Sequence, residues 1–156
     1  MAINKRIKRK EGDIALIKLS NNSFCYGRVL ADPLFAFYNL NTSQPLLDID
    51  QIIEKNVLFK VWVMKYAITS SRWKIIGNHN LDSNLISLPL FFKQDMFTKE
   101  FTIYDSRTSL EISAGYDECK SLERAAVWEP EHIEDRLKDF FEGNPNKWVE
   151  ILKPKL

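Results

Sequence analysis

Apolar and polar positions along the chain fall into short runs separated by turn residues. In residues 13–19, Ile14 and Leu16 face one way and Ala15, Ile17 and Leu19 the other, which predicts a largely buried strand. Ser20, Asn21, Asn22 and Ser23 suit a hairpin turn, and residues 24–30 form the second strand. Gly27 inside that strand predicts a bulge or a close backbone approach. Asp32-Pro33 ends it, and residues 34–40 make a third strand, completing an antiparallel meander. Residues 41–45 read as a loop. Asp48 precedes residues 49–54 as the side-chain cap of a short helical turn. Residues 57–64 are apolar except for Lys60 and predict a strand in a central position.

Beyond Thr69-Ser70-Ser71, a turn, residues 72–77 alternate Trp73 and Ile75 against Arg72 and Lys74 and predict another strand. Residues 78–89 lose periodicity and read mostly as loop. Residues 90–95 suggest a short edge strand. Residues 101–105 and 109–113 bracket a turn and predict a hairpin. Residues 117–122 read as a short helix or turn with Asp117 as its cap. The clearest helix spans 130–142. It has Pro130 in its first turn, a stripe of Ile133, Leu137, Phe140 and Phe141, and Gly143 and Pro145 as stops. Apolar groups in residues 148–152 are sufficient to dock the tail. The expected fold is α+β: a strongly bent, mostly antiparallel sheet with a C-terminal helix. The pattern leaves open whether the sheet closes into a barrel.

Composition fits this picture. The chain has 156 residues, 45% of them hydrophobic and 28% charged, which suits one globular domain and argues against disorder. The formal net charge of +1 argues against general attraction to nucleic acid or a membrane surface. The distribution is uneven. Lys5, Arg6, Lys8, Arg9 and Lys10 form a basic run, so residues 1–9 are read as a basic arm and 10–156 as a single domain. Glu11, Gly12 and Asp13 follow the run where a signal peptide would be apolar, and no segment has the length of a membrane span. The expected location is cytoplasmic, with Cys25 and Cys119 as reduced thiols.

Candidate chemistry is sparse. His79 and His132 stand apart, and no serine sits in a nucleophile elbow. No Cys and His cluster has metal-ligand spacing, and no glycine-rich phosphate loop occurs. No catalytic residue, metal or cofactor is therefore assigned, and the chain is read as a binder of another protein. Two other classes stay in view. One is a small nucleic-acid-binding module using the basic arm; the other is an enzyme with a carboxylate pair, though 21 acidic residues supply such pairs by chance. The strongest charge feature is the last helix. Residues 129–142 hold six acids and two bases, a net charge of −4. Acids near its start suit the helix dipole and a solvated face, and would also suit a basic protein partner.

Several ordered blocks resemble the immunity protein 26 family of bacterial polymorphic toxin systems. They are Lys10-Glu11-Gly12-Asp13-Ile14, residues 26–33, residues 57–64, residues 72–77, Phe91-Phe92-Lys93-Gln94 and residues 122–128. The resemblance spans roughly residues 10–142. It implies an antidote that binds a cognate toxin domain and blocks it stoichiometrically. Under that implication the candidate partner-binding residues are Arg28, Asp32, Arg72, Glu131, Glu134 and Asp135.

Overall fold

A computed structural model describes residues 7–156, so Lys5 and Arg6 of the basic run lie outside the described residues. Ten strands and six helices are seen among the described residues, in two mostly antiparallel sheets. The expected α+β class and C-terminal helix hold. The single bent sheet is corrected to two, and neither closes into a barrel.

The first sheet is built on a meander of β1 (Asp13–Lys18), β2 (Phe24–Val29), β3 (Leu34–Thr42) and β4 (Val57–Val63). β5 (Lys74–Asn78) returns to pair with β1, and the two-residue β10 (Val127–Trp128) pairs in parallel with β4. The order is β10-β4-β3-β2-β1-β5. Asn22, at φ 64°, makes the first turn, closed by Leu19 N–H to Ser23 O at 2.8 Å. The register of β2 against β3 shifts between Cys25 and Gly27. A Cβ on Gly27 would stand 3.3 Å from Phe37 Cε1, so the close approach expected there is present. Gly12 has φ 89°, and a Cβ there would meet His79 O at 2.6 Å; this turn needs glycine on both counts.

The second sheet has the order β8-β7-β6-β9. It contains β6 (Leu90–Gln94), β7 (Phe101–Asp105), β8 (Leu110–Ala114) and the two-residue β9 (Glu123–Arg124). Two positional expectations are overturned. β6 lies between β7 and β9, not at an edge, and β4 has only the short β10 beyond it. The apolarity of β4 on either side of Lys60 reflects cover on both faces. Val61 and Val63 enter one core, while Val57 and Trp62 pack against the other side. The second sheet supplies part of that other cover, with Trp62 and Phe91 ring centres 4.4 Å apart.

The helices are α1 (Ile49–Ile53), α2 (Tyr66–Thr69), α3 (Ser83–Ile86), α4 (Tyr116–Cys119), α5 (Pro130–Glu142) and α6 (Lys147–Leu152). Asp48 caps α1 as expected, accepting from Asp50 N–H at 3.1 Å. The cap of α4 is Gly115; Asp117 lies one residue inside the helix. Gly143 ends α5 at φ 75°. α5 buries Ile133 and Leu137 against Phe35, Phe37, Val61 and Trp73 of the main core. Full burial of such side chains contributes about 1.5–3 kcal/mol each. Phe140 departs from the expected stripe and is half exposed. The stretch expected as loop, residues 78–89, contains α3 and is held by Lys60 Nζ, which donates to the carbonyls of Asn84 and Ser87.

Candidate partner-binding surface

The six candidate residues have different environments. Arg28 is buried, with 1% of its surface exposed. Its guanidinium donates to Gly12 O at 2.9 Å, Tyr38 Oη at 3.0 Å, His79 O at 2.5 Å and Asn80 O at 3.2 Å. All three guanidinium nitrogens are used inside the molecule, with four hydrogen bonds that fasten residues 79–80 to the Gly12 turn. At 1% exposure the side chain presents no surface to a partner, so the candidacy of Arg28 is withdrawn. β-strand periodicity showed that it lies in a strand, but gave no sign that carbonyls would surround it.

Arg72, Glu131 and Glu134 are brought together. Arg72 forks onto Glu134, with Nε at 2.7 Å and Nη2 at 3.0 Å, and lies 3.4 Å from Glu131. This pairing raises Arg72 above its usual range, the Glu134 hydrogen bond contributing most. Glu134 also accepts from the buried Trp73 indole at 3.0 Å. Glu131 accepts from Tyr66 Oη at 2.6 Å, which holds the carboxyl below its usual range and pushes the phenol up to about 12. The network ties α5 to α2 and to the start of β5. Asp135 stands apart and accepts from Trp148 Nε1 at 3.3 Å, toward α6. Arg136, one of the two bases of the acidic segment, points inward instead. It pairs bidentately with Glu123 and stacks 3.6 Å above the centre of the Phe59 ring. The acidic helix therefore spends much of its charge on its own neighbours.

Asp32 is the exception. Its side chain is 72% exposed, and among the described residues no donor hydrogen-bonds to it. Arg9 Nε approaches to 3.7 Å, beyond hydrogen-bond distance, while Arg9 Nη2 is engaged by Leu34 O at 2.6 Å. Only 7% of the Arg9 side chain is exposed, so this member of the basic run is turned into the fold, over the Phe35 ring. Asp32 lines a cleft of about 370 Å³ between the two sheets, walled by Leu34, Trp62, Leu88 and Tyr104. The Trp62 and Tyr104 rings meet edge to face at 5.9 Å. The sequence did not single out Trp62 or Tyr104, since only the packing of one sheet on the other makes them neighbours.

Backbone hydrogen bonds place the cleft and the start of α5 at one end of the first sheet. Val63 N–H donates to Pro33 O at 3.1 Å, and Met64 N–H donates to Trp128 O at 2.9 Å. Trp128 leads directly into α5. Asp32, Met64, Val127 and Glu129, all exposed, thus lie toward one rim of the first sheet. An apolar centre flanked by charge is the usual make-up of a protein-docking surface.

The remaining chemistry-bearing groups are occupied structurally. His132 stacks on Trp148 at 3.6 Å, and His79 Nδ1 lies 2.9 Å from Asn80 O. Among the described residues no group of three or more His, Cys, Asp or Glu is placed to hold a metal. Cys25 is fully buried, and desolvation pushes its thiol from 9.0 up to about 12, with Asn41 opposing weakly. The folded state favours the protonated thiol, so this contribution to stability is complete below pH 9 and is lost as pH rises toward 12. At pH 8 an alkylating reagent is expected to modify Cys25 far more slowly in the native protein than in urea; equal rates would contradict the burial.

The fold and surface define an α+β protein that keeps its buried polar groups for structure and presents one mixed acidic and apolar rim. The family model described as Immunity protein 26 matches residues 10–103, more than half the chain, and the chain belongs to that family. The match covers β1 through the first half of β7, including Asp32 and Trp62, and stops short of α5. Membership points to a toxin as the general kind of partner and to a role without catalysis. No curated protein and no solved structure compared with the chain gave a match.

Proposed function

We propose that this protein neutralises a cognate bacterial toxin domain in the cytoplasm by stoichiometric binding, with no chemical step of its own. The observation that carries the reading is family membership across residues 10–103. The rim with Asp32, Met64, Val127 and Glu129 supports it by combining exposed apolar side chains with exposed carboxylates. Such a surface suits a toxin with a basic substrate cleft, because complementary charge speeds encounter and excludes wrong partners. Arg72, Glu134 and Asp135 set the shape of α5 behind the rim.

The test is co-expression with the toxin domain encoded beside the gene. Protection of the cells and a one-to-one complex in light scattering are expected. Glu129→Lys combined with Asp32→Lys should slow association by about tenfold at low salt, with the difference shrinking at high salt. Glu131 and Glu134 are kept intact in this experiment because they hold Tyr66 and Trp73, and their loss would mix folding with binding. Absence of a complex and of protection would remove the reading. Unchanged association of the double variant would move the interface off this rim.

A further inference from the structure

We infer that the cleft beside Asp32 is a receptor for an arginine side chain presented by the partner protein. The identity of that partner rests on the toxin-binding reading; the specificity of the cleft does not.

Three observations converge on this ligand. Among the described residues, the cleft of about 370 Å³ is lined by one acidic residue, Asp32, and by no basic residue. Its walls are apolar and aromatic, with Leu34 and Leu88 able to flank an aliphatic stem and Trp62 to receive a flat cation. Asp32 is also the acidic candidate whose acceptor capacity is unspent. Glu131, Glu134 and Asp135 each accept a hydrogen bond from a side chain of this protein, whereas among the described residues Asp32 accepts none.

Among the described residues, local charges do not close the site. Arg9 lies 3.7 Å from the Asp32 carboxylate but is buried and directed to Leu34 O, so it reduces the negative potential without occupying the carboxylate's outward lone pairs. Lys93 stands 4.7 Å from the centre of the Tyr104 ring, held by Glu111 at 2.5 Å. Trp62 is the wall free of a stacked cation among the described residues. Arginine fits better than lysine because its planar fork can bind a carboxylate bidentately while its face lies on an aromatic ring. Arginine anchors filling aromatic pockets are the side chains that dominate protein interfaces.

The experiment titrates the full chain with N-acetyl-arginine amide, its neutral isostere N-acetyl-citrulline amide, and N-acetyl-norleucine amide, followed by ¹H–¹⁵N NMR. The arginine probe should give saturable shifts at the Trp62 indole and at the amides of Ala31, Asp32 and Leu34. Citrulline and norleucine should bind at least about tenfold more weakly. Asp32→Asn, a change at an exposed position that leaves the rest of the spectrum in place, should weaken arginine by about tenfold and leave norleucine unaltered. Equal binding of arginine and citrulline, or no saturable shift at Trp62, would overturn the inference. An arginine-selective cleft in a chain that gives no protection would sink the toxin reading alone. Protection without arginine selectivity would sink the cleft alone.

Discussion

Replacing Arg28 by methionine should lower the melting temperature by about 10 °C, or prevent folding outright. The substitution keeps much of the volume and removes four hydrogen bonds in one step. Tyr38 Oη and His79 O would lose this donor, while Gly12 O keeps the His79 N–H and Asn80 O still faces His79 Nδ1; buried polar groups left unpaired cost about 1–3 kcal/mol each. Partial rehydration near residues 79–80 limits the total to roughly 3–5 kcal/mol, large against the 5–15 kcal/mol stability of an ordinary domain. Arg28→Lys should recover only a fraction, because one ammonium cannot span the directions that the fork satisfies. Thermal unfolding followed by circular dichroism measures both variants. A methionine variant within 2 °C of the parent would show that the clasp is dispensable. The position is also informative because a toxin-binding defect in an Arg28 variant would report lost structure, not a lost contact.

The second large effect is expected at Trp73. This side chain is 1% exposed and meets Phe35 and Phe37 edge to face at 5.8 and 5.7 Å. Trp73→Ala should cost about 3–5 kcal/mol through the cavity and lost contacts. Trp73→Phe keeps most of the aromatic packing but removes the indole donor to Glu134. Its cost should be about 1–2 kcal/mol, since Arg72 still serves that carboxylate. Urea denaturation of the pair separates packing from hydrogen bonding. Equal losses in the two variants would show that the packing contribution is small.

The meander was readable because its signals are local. Ile14 to Leu19, the Asn22 turn, Gly27 and Asp32-Pro33 each act on neighbouring residues, and β1 to β3 begin within a residue of their expected positions. α5 was equally plain, with Pro130 and Gly143 at its ends. The second sheet could not be seen as a separate layer. β9 and β10 are two residues long, shorter than any period can register, and each pairs in parallel with a strand far earlier in the chain. The same distance effect misplaced β4, where apolarity caused by cover on two faces resembled the apolarity of a central strand. At the candidate surface, the resemblance nominated Asp32 and charge in the sequence marked the acids of α5. It could not show which acids were already neutralised, because Arg72 reaches Glu131 and Glu134 across about sixty residues of chain. Nor could it show that Arg28 would be enclosed by carbonyls, since backbone acceptors leave no mark in side-chain patterns. The resemblance read from ordered blocks is upheld, over a shorter span than residues 10–142.

The return of β5 to the open side of β1 has a consequence for how the chain is made. β2 can pair with β3, and β3 with β4, as each hairpin leaves the ribosome. β1 cannot acquire its second neighbour until residues 74–78 exist, and the loop that must close includes the whole meander. That closure has an entropic cost that nearest-neighbour hairpins avoid, and it is repaid when Trp73, immediately before β5, enters the core. Synthesis and protection are thereby set in order: the cleft walls at Leu34 and Trp62 emerge early, but Leu88 and Tyr104 complete the cleft only after β1 has been sealed.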